Sequence, residues 1–374
     1  MSVAETQYFA LLRAALWAEP LAIDEPIDWL AVMQLANRHA TTVLICGVAT
    51  CIKGENKPSQ EILVQMQAAM RANLVKHLQL KQILVPAVRL LRQNGIEPVL
   101  LKGFGLAMLY PNPNLRQFGD LDVYVGLNKF HEACALLCTL PGGYNWGEVT
   151  DIGHHYNIEF GSLPLEVHRV SAEVSDENEA VLYAAIERDG LVTNPQRVDF
   201  EGTEILIPSK EFVVFYTFFH AWHHFLTSGV GWRQLSDVAM ALHSYLRSSA
   251  QRTAFDVDKL HRWITEMHLM QPWKVFGYLL VQNLGLPETE MPFYDVHCGK
   301  KAQRLYRRIM DEGNFNRDRS FKRNRPKRRL WQKFHTLICV FIDFFHLAKV
   351  FPDAAFREMR SSLKLGRKKI FQKK

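Results

Sequence analysis

The hydrophobic period of the chain changes twice along its length, and these changes limit the folds that it can adopt. From about residue 5 to residue 94, apolar residues recur at helical spacing, and a long amphipathic stretch from Pro58 ends at Asn94 and Gly95. Residues 95–208 instead carry short apolar or alternating runs separated by turn residues, which is typical of β-strands. Helical spacing returns at Ser209. The sequence therefore predicts an α+β core between helical N-terminal and C-terminal regions.

This pattern divides the 374 residues into four regions. They are a helical N-terminal region (1–94), an α+β core (95–208), a helical domain (209–312) and a basic C-terminal helical tail (313–374). Within the core, strands are predicted at residues 97–103, 120–125, 156–160 and 163–170, with a short helix at 104–110 and a hairpin turn at Gly161 and Ser162. Helices are expected near residues 210–226, 232–247, 256–268, 272–283, 298–312, 328–350 and 353–364.

The composition is that of an ordinary globular protein, with 48% hydrophobic and 22% charged residues. The six cysteines are scattered without a CxxC pair, so we expect reduced thiols in a cytoplasmic protein. An acidic residue stands where a signal peptide would carry basic ones, which predicts no export. The uncharged stretch from Phe212 to Trp232 contains three histidines and two glycines, and therefore predicts a buried helix and its turn rather than a membrane span.

The net charge of +7 is unevenly distributed. Residues 314–374 carry 18 Lys and Arg residues against four acidic residues, a net charge of +14, so residues 1–313 must carry −7. Within this basic segment an apolar stripe recurs at helical spacing: Trp331, Phe334, Leu337, Ile338, Phe341, Phe345 and Ala348. Two interpretations stay open, a helix packed on the body beside a solvated charge run, or an interfacial helix on an anionic membrane surface at the inner face of the membrane. Nucleic acid is the other phosphate-rich partner that such a charge block favours.

The residues with the clearest chemical meaning are Asp120 and Asp122 in the alternating run from Asp120 to Val125. Side chains two apart in a strand share a face, so both carboxylates should point the same way while Leu121 and Val123 face the opposite layer. Mg²⁺ prefers a few carboxylates together with water and substrate phosphates. The pair is therefore a candidate magnesium site, although Asp-hydrophobic-Asp is by itself also common at strand ends without a metal.

A strand that ends in Lys102 and Gly103 precedes this pair and leads into a short helix. Glycine lets backbone N–H groups approach a phosphate closely, and a helix N-terminus favours negative charge. Gly103 is thus a candidate phosphate-binding residue. Lys102 either contacts a triphosphate or is a solvent-facing lysine at the end of a strand.

These residues, in this order, resemble the DNA polymerase beta nucleotidyltransferase superfamily, and most of all a bacterial family of uncharacterised nucleotidyltransferases. Its pattern is strand-Lys-Gly-helix, then Arg, then Asp-hydrophobic-Asp, which Lys102-Gly103, Arg116 and Asp120-Leu-Asp122 match. Leu165-Glu-Val-His168 matches the later Glu-hydrophobic-His strand of the family, and residues 220–242 match its helical follow-on. The resemblance covers roughly residues 30 to 310.

The resemblance implies a polymerase beta-like core, a small mixed sheet with helices, on which three carboxylates bind two divalent ions, Mg²⁺ or Mn²⁺. Asp120 and Asp122 take the first two positions and Glu166 the third, where it helps to activate the attacking hydroxyl. Two such ions about 3.5–4 Å apart would clamp an in-line displacement at the α-phosphorus of an NTP, with pyrophosphate leaving. The match departs at Phe104, where many members have Ser or Gly, and in a longer spacer between Gly103 and Asp120.

Two more residues are candidate nucleotide contacts beside Lys102, Gly103 and Phe104. Arg116 either contacts a phosphate or forms a structural salt bridge with a nearby carboxylate. His168 should share the face of Glu166, where it either touches metal, phosphate or acceptor, or is a satisfied core histidine.

The remaining polar residues carry weaker expectations. His220 and His224 are one helical turn apart, but Ala221 stands where a zincin needs Glu, which favours packing or substrate contact over zinc. Asp237 is expected to orient a neighbour rather than to bind metal. His154 and His155 are adjacent, and because adjacent side chains diverge in a strand we expect surface or substrate contact rather than a metal clip.

The leading functional hypothesis is a metal-dependent nucleotidyltransferase that moves an NMP from NTP to an acceptor. A small molecule, an envelope polysaccharide intermediate, a protein side chain and an RNA end all remain open as the acceptor. The alternative is a non-catalytic protein of the same fold that binds RNA or an anionic membrane through its basic C-terminus. The presence of three carboxylates favours the enzyme, because crowded negative charge is relieved by a metal ion.

Overall fold

The structure, a computed structural model, describes residues 1–315 except 22, 24, 146, 151, 152 and 175, together with residues 326, 331, 338, 341, 344, 345, 347–357, 359 and 360. Helices form most of the described region before the sheet. The helices before the sheet are α1 (Val3–Trp17), α2 (Trp29–Arg38), α3 (Thr42–Ala49) and α4 (Gln60–Gln93). The hydroxyl of Ser59 accepts a hydrogen bond from the backbone N–H of Ile62 and caps α4, and Gly95 follows its end with a φ of +70°. The predicted amphipathic helix is thereby confirmed.

The sheet is mixed, as predicted, and has seven strands among the described residues. They are β1 (Val99–Leu100), β2 (Leu121–Tyr124), β3 (Gly143–Tyr144), β4 (His155–Phe160), β5 (Leu163–His168), β6 (Gln196–Phe200) and β7 (Thr203–Ile207). Their order across the sheet is β3-β4-β5-β2-β1-β7-β6. The pairs β2/β5 and β1/β7 are parallel, and the others are antiparallel. Gly161 and Ser162 form the predicted hairpin turn between β4 and β5.

Short helices interrupt the strand region, and longer ones follow it. Those between the strands are α5 (Phe104–Ala107), α6 (Phe130–Leu137) and α7 (Glu177–Glu187). After β7 come α8 (Lys210–Thr227), α9 (Trp232–Leu246), α10 (Ser249–Thr253), α11 (Val257–Glu266), α12 (Met270–Leu284) and α13 (Gly299–Glu312). The bounds of α8, α9 and α11–α13 agree with prediction within a few residues.

The sheet separates two hydrophobic clusters. Leu121, Val123, Leu165 and Val167 belong to the cluster that β2 and β5 share with α4 and α6. A second and larger cluster joins α1–α3 to α8, α9 and α11–α13, so the helices before and after the sheet share one core. The face of β2 and β5 opposite the first cluster is therefore left to polar side chains.

Several elements differ from the prediction. Strand β1 has two residues rather than seven, and β3, β6, β7 and the helix α7 were not predicted individually. The side chain of Asp176 caps α7 by accepting from the N–H groups of Asn178 and Glu179. Strand β3 consists of two residues, too few for an alternating pattern to be recognised.

The uncharged stretch that begins at Phe212 forms the buried helix α8, as predicted. Within the part of the chain that the structure describes, no helix combines the length and apolarity needed to cross a membrane. Of the apolar stripe in the tail, Trp331, Ile338, Phe341 and Phe345 are helical and exposed, whereas Ala348 packs against the larger cluster. Phe334, Leu337 and most of the two predicted tail helices lie outside the described residues, as does Cys339.

Candidate functional site

Two of the three predicted carboxylates lie side by side on the sheet. Strands β2 and β5 pair in parallel with Asp122 in register with Glu166, so both side chains project from the same face. Asp120 directly precedes β2, two residues before Asp122. The intervening Leu121 is buried in the core cluster on the other face. The alternation predicted from the sequence is therefore present in the structure.

Asp122 is fully buried and holds two positively polarised groups. Its Oδ1 lies 2.9 Å from Nζ of Lys102 and 3.1 Å from Nε2 of His168. Its Oδ2 has no hydrogen-bond partner among the described residues. Burial raises the pKa of Asp122, but the charge of Lys102 and the hydrogen bond from His168 outweigh it and hold the pKa well below its usual range. The carboxylate is therefore ionised at neutral pH.

Lys102 lines the cavity beside the sheet with its ammonium group on Asp122. Its side chain is 17% exposed, so it is not the solvent-facing lysine that one alternative predicted. Burial lowers the pKa of Lys102, but the negative charge of Asp122, with smaller contributions from Asp120 and Glu166, raises it above the usual range overall. The ammonium group is thus a fixed positive charge at the wall of the cavity.

Asp120 and Glu166 face the same cavity. Burial, and then the negative charge of Asp122, raise the pKa of Asp120. Crowding of carboxylates in a partly buried site is the condition that a bound cation relieves. Ligand atoms of Asp122, Glu166 and His168 all lie within 4.8 Å of one another. Asp120 is not part of this close group, so its carboxylate must move toward Asp122 to share an ion.

His168 shares the face of Glu166, as predicted. Its Nε2 lies 3.4 Å from Oε2 of Glu166 as well as 3.1 Å from Oδ1 of Asp122. Burial lowers the pKa of His168, but the hydrogen bonds to these two carboxylates outweigh it and raise the pKa overall. The histidine thereby ties the two strands together at the site.

Gly103 supplies a backbone conformation that other residues rarely adopt, with φ of +58° and ψ of −117° just before α5. Phe104 follows it, but its side chain is 4% exposed and packs against Phe118 and Phe200 with ring centroids 4.9 and 5.0 Å apart. Because its ring lies in the core, only the backbone of Phe104 remains available to a nucleotide. The prediction of Phe104 as a nucleotide contact is therefore restricted to its backbone.

Arg116 forms the structural salt bridge that was one of its two predicted roles. Its Nε and Nη2 donate to Oδ1 and Oδ2 of Asp237 at 2.6 and 2.9 Å, and its Nη1 donates to the carbonyl of Gly103 at 3.1 Å. Tyr110 donates to the same Asp237 at 2.7 Å. Asp237 on α9 therefore orients a neighbour, and the pair connects the helical region to the glycine turn. These bonds use three of the five N–H donors of the guanidinium group, and Arg116 also lines the cavity, so phosphate contact stays a prediction.

A cavity of about 520 Å³ lies between this face of the sheet and helices α8 and α9. That volume is within the range of cavities that enclose small molecules. Its polar lining residues include Lys102, Arg116, Asp120, His154, His155, Glu166, His168, Glu173, Tyr216, His220, His223, His224, Arg233 and Asp237. All the predicted site residues except Asp122, which lies beneath Lys102 and His168, and Phe104 therefore reach one cavity.

Several lining residues were not singled out from the sequence, among them Arg233 and Tyr216. Arg233 on α9 lies 3.7 Å from Oδ2 of Asp237, a carboxylate that already accepts two hydrogen bonds from Arg116. The guanidinium of Arg233 is therefore held less firmly than that of Arg116. Tyr216 on α8 donates to the carbonyl of Ser171 at 3.0 Å. The spacing of Arg233 and Asp237, four residues apart on a helix, was the available indication for Arg233.

The histidines contradict one expectation. His154 and His155 do not diverge, because His154 precedes β4 rather than lying in it, and Nδ1 of His155 lies 2.9 Å from Nε2 of His154. Burial, with the positive charges of His155 and His168, lowers the pKa of His154 to about 3. On α8, Nε2 of His220 and Nε2 of His224 are 2.9 Å apart. Both pairs line the cavity.

Comparison with known proteins identifies the family. One solved structure similar to this chain is that of an antigenic nucleotidyltransferase-like protein from Paracoccidioides brasiliensis, with 13% identity, a TM-score of 0.31, and coverage of 57% of this chain and 92% of that one. No curated protein matches significantly. A family model described as uncharacterised nucleotidyltransferase matches residues 25–272, about two thirds of the chain. Since that match spans more than half of the chain, the chain belongs to the uncharacterised nucleotidyltransferase family.

Proposed function

We propose that the protein is a metal-dependent nucleotidyltransferase that moves a nucleoside monophosphate from NTP to an acceptor, with release of pyrophosphate. The observation that carries this proposal is the register of β2 and β5, which places Asp122 beside Glu166 at the edge of a cavity that Asp120 also lines. Membership of the family supports transferase chemistry. The acceptor and the nucleotide base are separate questions.

The donor set fits Mg²⁺ or Mn²⁺. Oxygen atoms of Asp122 and Glu166 lie within 4.8 Å of one another, and the buried Oδ2 of Asp122 has no partner among the described residues. Hard divalent cations prefer such oxygen ligands. When bound, the cation supplies positive charge that stabilises the transferring phosphoryl group and the leaving oxygen.

The positive side chains of the cavity are suited to the triphosphate. Lys102 places its ammonium group at the cavity wall, and Arg233 projects from the opposite helix α9. Charge-assisted hydrogen bonds from such groups are about twice as strong as neutral ones. The left-handed turn at Gly103, held through its carbonyl by Arg116, brings backbone close to the same region. These residues would position the NTP and compensate its charge.

Glu166 is the residue that we assign to the acceptor. Its side chain is 18% exposed and faces the cavity, unlike the enclosed Asp122. A carboxylate in that place can accept the proton of an attacking hydroxyl while the α-phosphorus is transferred. Positioning of the two substrates by the cavity walls supplies the rest of the rate enhancement. A small molecule, an envelope polysaccharide intermediate, a protein and an RNA end remain the candidate acceptors.

A labelling experiment tests this function and identifies the acceptor together. The full chain is incubated with each α-³²P-labelled NTP, Mg²⁺ or Mn²⁺, and fractionated lysate. We expect one fraction to become labelled by the wild type and by Glu159→Gln, a glutamate on β4 that does not line the cavity. Glu166→Gln and Asp122→Asn should lose the label. Equal labelling by these two variants and the wild type would refute the proposal.

A second candidate function rests on the tail. Trp331, Ile338, Phe341 and Phe345 are 46–60% exposed within a strongly basic stretch of sequence. Exposed apolar residues beside basic ones favour an anionic membrane surface over RNA. Sedimentation with phosphatidylserine vesicles should therefore carry down the wild type but not Phe341→Ser/Phe345→Ser. Salt-sensitive RNA binding without vesicle binding would support the nucleic-acid alternative instead.

A further inference from the structure

Two consecutive histidines converge beside the carboxylates. Nδ1 of His155 lies 2.9 Å from Nε2 of His154, and their ring centroids are 4.3 Å apart. Adjacent residues of a regular strand would point to opposite faces. Here the first lies outside β4, next to Gly153 with its φ of +88°, and both rings reach the same cavity. The backbone thus gathers two imidazoles that strand geometry alone would separate.

A third imidazole completes the group. The ring of His168 lies 5.1 Å from that of His155 and 5.6 Å from that of His154, measured between centroids. Each of the three residues offers a ring nitrogen within 4.8 Å of the other two. His168 is 1% exposed, and its Nδ1 has no hydrogen-bond partner among the described residues. Buried polar atoms without a partner are rare and require an explanation, of which an ion is one.

The chemistry of this group differs from that of the neighbouring carboxylates. Imidazole nitrogen suits Zn²⁺ and related transition metals, whereas Mg²⁺ is bound by oxygen. Three protein ligands and one open position are typical of catalytic zinc sites. Oε2 of Glu166 lies 3.8 Å from Nε2 of His155 and 3.4 Å from Nε2 of His168, where it can support the imidazoles as carboxylates do around zinc.

We propose that His154, His155 and His168 form a binding site for a transition-metal ion, Zn²⁺ or one of similar preference, beside the carboxylate site. Nε2 of His154 and Nδ1 of His155 are already 2.9 Å apart, and Zn–N bonds of about 2.0–2.1 Å place two tetrahedral ligands about 3.3 Å from each other, so the main adjustment is between this pair and His168. All three residues line the cavity, so the ion would be accessible to a ligand bound there. An ion there would hold β4 against β5 at the site and present a Lewis acid to a ligand in the cavity.

Calorimetric titration of Zn²⁺ tests the site directly. The full chain is used without a polyhistidine tag and with Mg²⁺ in excess, so that oxygen-rich sites are occupied by Mg²⁺. We expect one equivalent of Zn²⁺ to bind. His154→Asn/His155→Gln should weaken it at least about 100-fold, because loss of an outer hydrogen-bond partner alone costs about 10- to 100-fold. The control His297→Gln, an exposed histidine that does not line the cavity, should bind as the wild type does.

Three results would overturn the proposal. They are the absence of Zn²⁺ binding by the wild type, unchanged binding by the double variant, and binding that Asp122→Asn abolishes while the double variant retains it. If the double variant does not fold, zinc X-ray absorption of the wild type decides, because imidazole ligands give characteristic outer-shell scattering. We expect three imidazoles, and one or none would contradict the site. No nucleotide is present, so the outcome does not depend on nucleotidyl transfer.

Discussion

Replacement of Asp237 by Asn tests the buried ion pair that holds the glycine turn. In the wild type Asp237 receives two hydrogen bonds from Arg116 and one from Tyr110. The Arg116 side chain is 2% exposed and that of Asp237 7%, so neither charge is solvated by water. Burial raises the pKa of Asp237, but Arg116 outweighs it and lowers the pKa overall, so the carboxylate is charged at neutral pH. The substitution leaves the guanidinium buried without its counter-charge.

The expected cost is about 3–5 kcal/mol, the usual range when one partner of a buried pair is removed. The helices before and after the sheet share one core cluster, so we expect them to unfold together. At roughly 2.1 cal/mol/K of unfolding entropy per residue, each kcal/mol corresponds to about 1.3 °C in a chain of this size. Asp237→Asn should therefore lower Tm by about 4–6 °C in calorimetry at neutral pH.

A double-mutant cycle separates the ion pair from other effects of the substitution. In Arg116→Met/Asp237→Leu neither charge is buried, so the double variant should be more stable, by about 1–3 kcal/mol, than the summed losses of the single variants Arg116→Met and Asp237→Leu predict. Binding of a non-hydrolysable NTP should weaken in all three variants. Where Arg116 is replaced, the carbonyl of Gly103 loses its hydrogen-bond donor, and where only Asp237 is replaced, Arg116 is no longer oriented toward that carbonyl. A Tm of Asp237→Asn within 2 °C of the wild type would contradict the expected stabilisation by the ion pair of Arg116 and Asp237.

Three further outcomes are expected from substitutions elsewhere. Burial, reinforced by the charge of Arg38, lowers the pKa of His39 to about 3, so the unfolded chain binds a proton below pH 6.5 that the folded state refuses. This difference destabilises the wild type by about 2 kcal/mol between pH 7 and pH 5. The free energy of unfolding of His39→Leu, measured by urea denaturation, should therefore fall by about 2 kcal/mol less over that interval. Lys102→Met should weaken NTP binding about 10- to 100-fold in calorimetry, the value of one charge-assisted hydrogen bond, and unchanged affinity would remove Lys102 from the triphosphate site. Gly103→Ala should cost about 1–3 kcal/mol in denaturation because its φ of +58° strains any side chain, and a neutral effect would contradict the turn geometry.

The carboxylate site could be predicted because its residues obey a local rule. Asp122 and Leu121 alternate along one strand, so the sequence alone separates the polar face from the core face. Long helices such as α4 and α8 were predictable for a similar reason, because each carries several turns of periodic apolar residues. Placement of Glu166 beside Asp122 required the family pattern as well, since no local rule states which strands become neighbours.

What could not be predicted depends on contacts between distant segments. Arg116 meets Asp237 across 121 positions of sequence, and only the folded chain shows which carboxylate is its partner. The convergence of His154 and His155 depends on where β4 begins, and strand ends are set by tertiary contacts rather than by propensity. Phe104 follows a glycine turn whose φ and ψ decide that its ring enters the core.

In the proposed function, Asp122 and Glu166 hold the catalytic divalent cation beside the nucleotide. Anomalous diffraction from crystals grown with Mn²⁺ and a non-hydrolysable NTP locates that ion without reference to any acceptor. We expect a manganese peak within bonding distance of oxygens from both side chains and of the triphosphate, with Asp120 turned toward it. A nucleotide bound in the cavity with no manganese at these carboxylates would contradict the assignment of Asp122 and Glu166 as cation ligands.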